Sequence, residues 1–143
     1  MKHEGACHCG AVAVWFDTDQ AAEETPARAC TCSFCARHGA HVVSDPAGWM
    51  EVRSAPGALN RYRFASGTVE FLLCSECGVY VGATIQDGEH TLGIINVVGA
   101  GLDGFEGATA TAMDYSDETA EQKLERRRAK WTPAAVVEAM PNA

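Results

Sequence analysis

Seven cysteines fall into three short clusters, and their spacing constrains this chain more than any other feature. The clusters are Cys7-His8-Cys9, Cys30-Thr31-Cys32-Ser33-Phe34-Cys35 and Cys74-Ser75-Glu76-Cys77-Gly78, two pairs and a triplet. An odd number cannot be fully paired within one chain, which argues against a closed disulfide framework. Nor is one needed, because 143 residues with 47% hydrophobic content can bury a core without covalent staples. The spacing therefore points to metal ligation or thiol reactivity in a reducing cytoplasm. Consistent with that compartment, no apolar stretch follows Lys2 as in a secretory signal, and no later apolar run is long enough to span a bilayer.

Zinc takes four ligands in a tetrahedron, and a Cys-x-x-Cys turn brings two sulfurs to one ion. Cys74 and Cys77, followed by Gly78, have that form. Cys7 and Cys9 can supply the other half, closing a structural site that ties the N-terminus to mid-chain. Cys30, Cys32 and Cys35 are different. Three sulfurs in one loop can hold an ion and leave a fourth position for water or an exogenous thiol, the layout of a catalytic zinc. Two other readings stand beside it. His38 could add an imidazole and close a second structural site, or the triplet could be a regulatory cluster that forms a disulfide on oxidation.

Runs of β-forming residues at 11–16, 40–44, 50–53, 59–64, 69–73, 79–84 and 91–97 alternate with Gly and Pro turns. They predict one mostly β domain, largely antiparallel, over residues 1–143. Residues 119–130 contain no Gly or Pro and run from acid to base, which predicts a helix. Thr132 and Pro133 read as the N-cap and first residue of a second short helix over 133–140. Trp15, Trp49 and Trp131 read as core or core-edge aromatics, one of which could wall a pocket near the triplet. A net charge of −8 argues against nucleic acid as the main partner. Lys123, Arg126, Arg127, Arg128 and Lys130 nonetheless hold five of the eleven basic residues. That segment reads first as a solvated helix face balancing an acidic body.

The order Cys-x-Cys-Gly, Cys-x-Cys-x-x-Cys, Cys-x-x-Cys-Gly, with Tyr62–Gly67 ahead of Val69–Gly78, resembles the glutathione-dependent formaldehyde-activating enzyme family, which also includes centromere protein V. Val97–Asp103 and Lys130-Trp131 are similar to later segments of that family. Two departures stand out: Phe71-Leu72-Leu73 replaces an Arg-Phe-Phe-like segment, and Val79 replaces a threonine. The resemblance implies a β-tent fold of packed antiparallel sheets with short C-terminal helices. It also implies a structural zinc at Cys7, Cys9, Cys74 and Cys77, and a second, more labile zinc at Cys30, Cys32 and Cys35. The activity implied is that of a carbon–sulfur lyase, the addition of the glutathione thiol to formaldehyde to give S-hydroxymethylglutathione. Its partners would be a small-molecule thiol and an aldehyde, with glutathione as co-substrate, and no membrane. A homodimer through a sheet edge is compatible with the same reading. His38 and His41 flank the triplet, and imidazole is the side chain best suited to moving protons during such a reaction, although two exposed loop histidines would look the same. The basic segment could attract the two carboxylates of glutathione or, as centromere protein V suggests, a nucleic acid. A non-catalytic zinc-stabilised binding module and a thiol redox sensor are the other functional classes compatible with the cysteines.

Overall fold

Each of the seven β-rich runs contains a strand in the computed structural model of the chain, which describes residues 1–139. The strands are β1 (Lys2–Ala6), β2 (Val12–Asp17), β3 (Ala27–Cys30), β4 (Val42–Val43), β5 (Trp49–Ser54), β6 (Leu59–Tyr62), β7 (Val69–Cys74), β8 (Tyr80–Asp87), β9 (His90–Asn96), β10 (Ala110–Met113) and β11 (Thr132–Val137). Two α-helices, α1 (Ser33–His38) and α2 (Ala120–Lys130), accompany them. The architecture is mostly β, a large mixed sheet in which β3–β10 and β5–β11 are the parallel pairs. One branch runs β1-β2-β5-β11, a second β6-β7-β8-β9, and a third β9-β4-β3-β10.

Strand β9 joins the branches. It pairs with β8 from His90 to Ile95, and its other edge is divided between β11, at Leu92 and Gly93, and β4, at Ile95 and Asn96. The two faces of β7–β9 serve two cores. Leu72, Val81 and Ile95 pack with Val12, Val14, Phe16, Met50 and Val52, whereas Phe71, Ala83, Ile85 and Ile94 pack with Cys35, Val42, Tyr80 and Trp131. Between the pairs Leu72↔Gly82 and Leu73↔Tyr80 the register skips Val81, a β-bulge. The extra residue sends Val81 into the first core and turns Tyr80 into the second, where its ring meets Phe34 and His38 of α1. Gly82 is required beside the bulge, since a Cβ there would lie 2.5 Å from the Ile94 carbonyl oxygen.

Helix α2 forms where the charge pattern predicts it. The Thr119 hydroxyl accepts from the Gln122 amide, and the Gln122 side chain accepts from the Thr119 amide, a complete capping box. The second expected helix does not form. Residues 132–137 are β11, and Met140 lies outside the described residues. Thr132 caps no helix: it is fully buried, and its hydroxyl accepts the Asp45 amide at 2.8 Å. Thr132 and Pro133 pair with β9, and Ala134–Val137 with β5. Two open strand edges thus offer ladder partners to a segment whose alanines prefer helix, and tertiary pairing prevails over local propensity. Trp49 is a second departure, exposed on the surface, whereas Trp131 is buried as expected.

Replacing Thr132 with Val keeps its shape and leaves the Asp45 amide buried without an acceptor. The expected cost is about 1–3 kcal/mol, read as a lower urea midpoint with an unchanged m-value. The β6–β7 hairpin gives a pH-dependent counterpart. Burial alone would raise the Glu70 carboxyl, but hydrogen bonds from Arg61 and Arg63 outweigh it and hold Glu70 below the usual carboxylate range. The stability this contributes is present above the unfolded-chain value, about 4.3, and is lost as pH falls through the lower folded value. Glu70→Gln should therefore cost about 1 kcal/mol or less in urea unfolding at pH 7, with the difference gone in acid.

Candidate functional site

The two cysteine pairs meet at one end of the sheet. Cys7 and Cys9 sit in the β1–β2 connection, Cys74 ends β7, and Cys77 lies in the turn before β8. Their four sulfurs all lie within 4.8 Å of one another. Gly78 (φ +79°) closes the second turn, its amide donating to the Cys74 carbonyl at 2.9 Å. Backbone amides also point at sulfur: Val12 donates to Cys7 Sγ at 3.3 Å, and Glu76 and Cys77 donate to Cys74 Sγ at 3.4 and 3.5 Å. The Val79 amide, with help from the Cys9 amide and neighbouring thiols, brings Cys77 down to about 6. The Ala11 amide favours the Cys9 thiolate, but the sulfurs of Cys74, Cys7 and Cys77 outweigh it and push Cys9 up to about 12. Burial pushes Cys7 up as well.

The triplet follows the same pattern. Cys30 ends β3, Cys32 caps α1 by accepting the Cys35 amide at 3.4 Å, and Cys35 is buried in the first turn of α1. The three sulfurs again lie within 4.8 Å of one another. A hydrogen bond from Cys35, supported by Cys32 and the charge of Arg126, overcomes burial and brings Cys30 down to about 5. The same contact with Cys30, together with burial, drives Cys35 far up. Each cluster thus sets one acidified cysteine, Cys77 or Cys30, beside thiols pushed up, Cys7 and Cys9 or Cys35, whose protons a metal ion would displace. All seven cysteines are free, and both donor sets suit a thiophilic cation such as zinc.

What separates the clusters is access. Cys30, Cys32 and Cys35 line a cavity of about 390 Å³, and none of the other four cysteines does. Val42, Phe64, Val69, Phe71, Ile94 and Trp131 form its apolar wall. Arg28, Lys123, Arg126 and Arg127 bring positive charge to it, and Asp114 is the one carboxylate among its described lining residues. One lip is the β6–β7 turn, where Ala65 holds a left-handed φ of +54° beside Ser66. Arg127 reaches from α2 to the Thr68 hydroxyl of that turn at 3.5 Å.

The other residues singled out from sequence sit elsewhere. His38 is exposed on α1, its ring against Phe34 and Tyr80, and neither it nor His41 lines the cavity. His38 also stands outside the group of sulfurs, so a fourth ligand from that imidazole finds no support in the geometry. His8 is exposed, as its position between two candidate ligands suggested. The basic segment is not simply a solvated face, because Lys123, Arg126 and Arg127 face the cavity. Only Arg128 among the arginines turns away, to Asp87 at 2.8 and 2.9 Å. Sequence reasoning missed Arg28, Asp114 and Tyr115. Arg28 stands two residues before Cys30 and shares its face of β3, a relation readable only once that strand is known.

The family model described as glutathione-dependent formaldehyde-activating enzyme matches residues 2–118. A crystal structure of a Rhodobacter sphaeroides protein, from a structural genomics programme, is 26% identical to this chain, with a TM-score of 0.58. That likeness covers 77% of this chain and 99% of the other. With its cysteine order, its mostly β fold and a match over most of its length, the chain belongs to the glutathione-dependent formaldehyde-activating enzyme family.

Proposed function

We propose that this chain is a zinc-dependent carbon–sulfur lyase that forms or breaks adducts of glutathione, or a related thiol, with formaldehyde or another small aldehyde, as in S-hydroxymethylglutathione synthesis. One observation carries the reading: of two cysteine clusters able to hold a metal, the three-sulfur one lines the cavity of about 390 Å³, whereas the four-sulfur one is not among the described residues that line it. A closed four-sulfur set leaves no position for a reactant, whereas a three-sulfur set in a cavity wall does. Family membership supplies the thiol and the aldehyde as reactants. The free cysteines suit a reducing cytoplasm.

Zinc held by Cys30, Cys32 and Cys35 would supply Lewis-acid chemistry, acidifying a thiol or polarising an aldehyde oxygen. Cys7, Cys9, Cys74 and Cys77 would hold the structural ion, whose binding free energy is coupled to folding. The protein's own share is to hold two small reactants together and keep bulk water out. Phe64, Val69, Phe71 and Trp131 form a wall suited to both tasks. Addition forms one sulfur–carbon bond and moves the thiol proton to the carbonyl oxygen. The reverse step returns both, so no oxidant or reductant takes part. Asp114, Tyr115 and Ser116 bring polar groups to the same cavity.

Elemental analysis tests the assignment on protein purified under reducing conditions without chelator. The wild type should carry about two zinc ions per chain, and Cys32→Ser about one, with its fold intact and glutathione–formaldehyde adduct formation abolished. Cys74→Ser should instead fail to fold or aggregate. A soluble, fully active Cys32→Ser variant would sink the catalytic role of the triplet. A ratio near one in both proteins would favour a binding module or a redox cluster.

A further inference from the structure

We propose that the basic wall of the cavity is a carboxylate-binding subsite, in which Arg127, Arg28 and Lys123 select a thiol or thiol adduct that carries carboxylates over an uncharged one. The inference rests on the reading that the cavity takes a thiol adduct, and it assigns the residues that decide which thiol enters.

Four cations and one carboxylate line the cavity of a chain whose net charge is −8. Of the four, Arg126 is committed: its Nε donates to both oxygens of Glu118 at 3.0 and 3.1 Å, and its guanidinium lies 3.6 Å from the centre of the Tyr115 ring. The other three meet no carboxylate among the described residues. Arg28 donates to the neutral Ser44 hydroxyl at 2.8 Å. Arg127 touches the Thr68 hydroxyl and leaves its Nε buried with no partner among the described residues. Burial, with the neighbouring Arg126 charge, weakens the hold of the Arg127 guanidinium on its proton, the expected result of desolvating a cation.

A half-buried guanidinium whose Nε is enclosed and unpartnered gains from an anion that completes it, and its planar fork matches a carboxylate. The cavity volume of about 390 Å³ lies in the range of small-molecule sites. The sequence spacing makes the wall a single feature. Lys123, Arg126 and Arg127 stand at i, i+3 and i+4 of α2, and so share one face of the helix. Residues 2–118 carry the family match, so α2 adds this charge from outside the matched segment.

S-methylglutathione separates binding from chemistry, because its thioether forms no hydroxymethyl adduct. Calorimetric titration of the zinc-loaded full chain should show it binding at least about 10-fold more tightly than its dimethyl ester. Arg127→Gln should weaken S-methylglutathione by about 10-fold, and Arg28→Gln combined with Arg127→Gln should bring acid and ester together. Lys130→Gln, which removes an exposed charge of α2 that does not line the cavity, should bind as the wild type does. Equal binding of acid and ester by the wild type, no binding of either, or wild-type affinity in Arg127→Gln would overturn the subsite. Charge-selective binding without glutathione–formaldehyde turnover would leave the subsite standing and remove the proposed lyase activity. Turnover with no charge preference would do the reverse.

Discussion

Because β8 occupies one edge of β9, the opposite edge has to satisfy two partners, β11 at Leu92 and Gly93 and β4 at Ile95 and Asn96. Much of the site's geometry follows from that division. Strand β4 brings β3, and with it Cys30 and Arg28. Strand β11 directly follows α2, so its docking fixes where the helix ends and where Trp131 enters the second core. On the other side, β8 carries β7 and the Cys74–Cys77 turn. Asn96 reinforces the junction from within. Fully buried, it donates to the Tyr80 carbonyl at 2.9 Å and accepts the His41 amide at 3.1 Å, linking β8, β9 and the entry to β4. Such a satisfied buried amide fixes register in a way that apolar packing alone does not.

Electrostatics then divides the labour between two sulfur clusters that are chemically alike. Both set an acidified cysteine beside thiols that are pushed up, and both receive amide hydrogen bonds. They differ in their surroundings. The quartet joins two turns at the sheet end, with Cys7 and Cys74 in the first core. The triplet is approached by cations and opens to a cavity, so a ligand can add to it without breaking a fold-defining contact. A site that must release product is better placed on the second arrangement, since structural metal is bound too tightly to folding to be exposed to exchange.

The strands with β-branched or aromatic runs were legible because their alternation survives in the two-core packing of β7–β9. The partition of the cysteines into four and three was legible from spacing alone. Strands β3 and β10 were not: each has four residues, dominated by alanine, and they form by pairing with each other across more than 80 residues. Strand β11 was misread for the same reason, its alanines and Pro133 favouring helix until β5 and β9 supply ladder partners. The cavity was legible only in parts. The basic cluster was visible in sequence, but the face it turns inward depends on α2 docking. Arg28 belongs to a strand that local propensity does not reveal.

The position of α2 bears on how one scaffold can serve different substrates. The residues matched to the family carry the sulfurs and most of the apolar wall, whereas α2 lies just beyond them and brings three of the four cations. None of its residues is fully buried, and apart from Leu124, which packs against the second core, its positions can change at low cost to the core. It is held instead by surface contacts, Arg128 to Asp87 on β8 and Arg126 to Glu118, and by the buried Trp131 at its end. Exchanging charges on such a helix alters what the cavity attracts while leaving both sulfur clusters in place. On the proposed function, reaction chemistry and substrate choice would reside on parts of the chain that can vary independently.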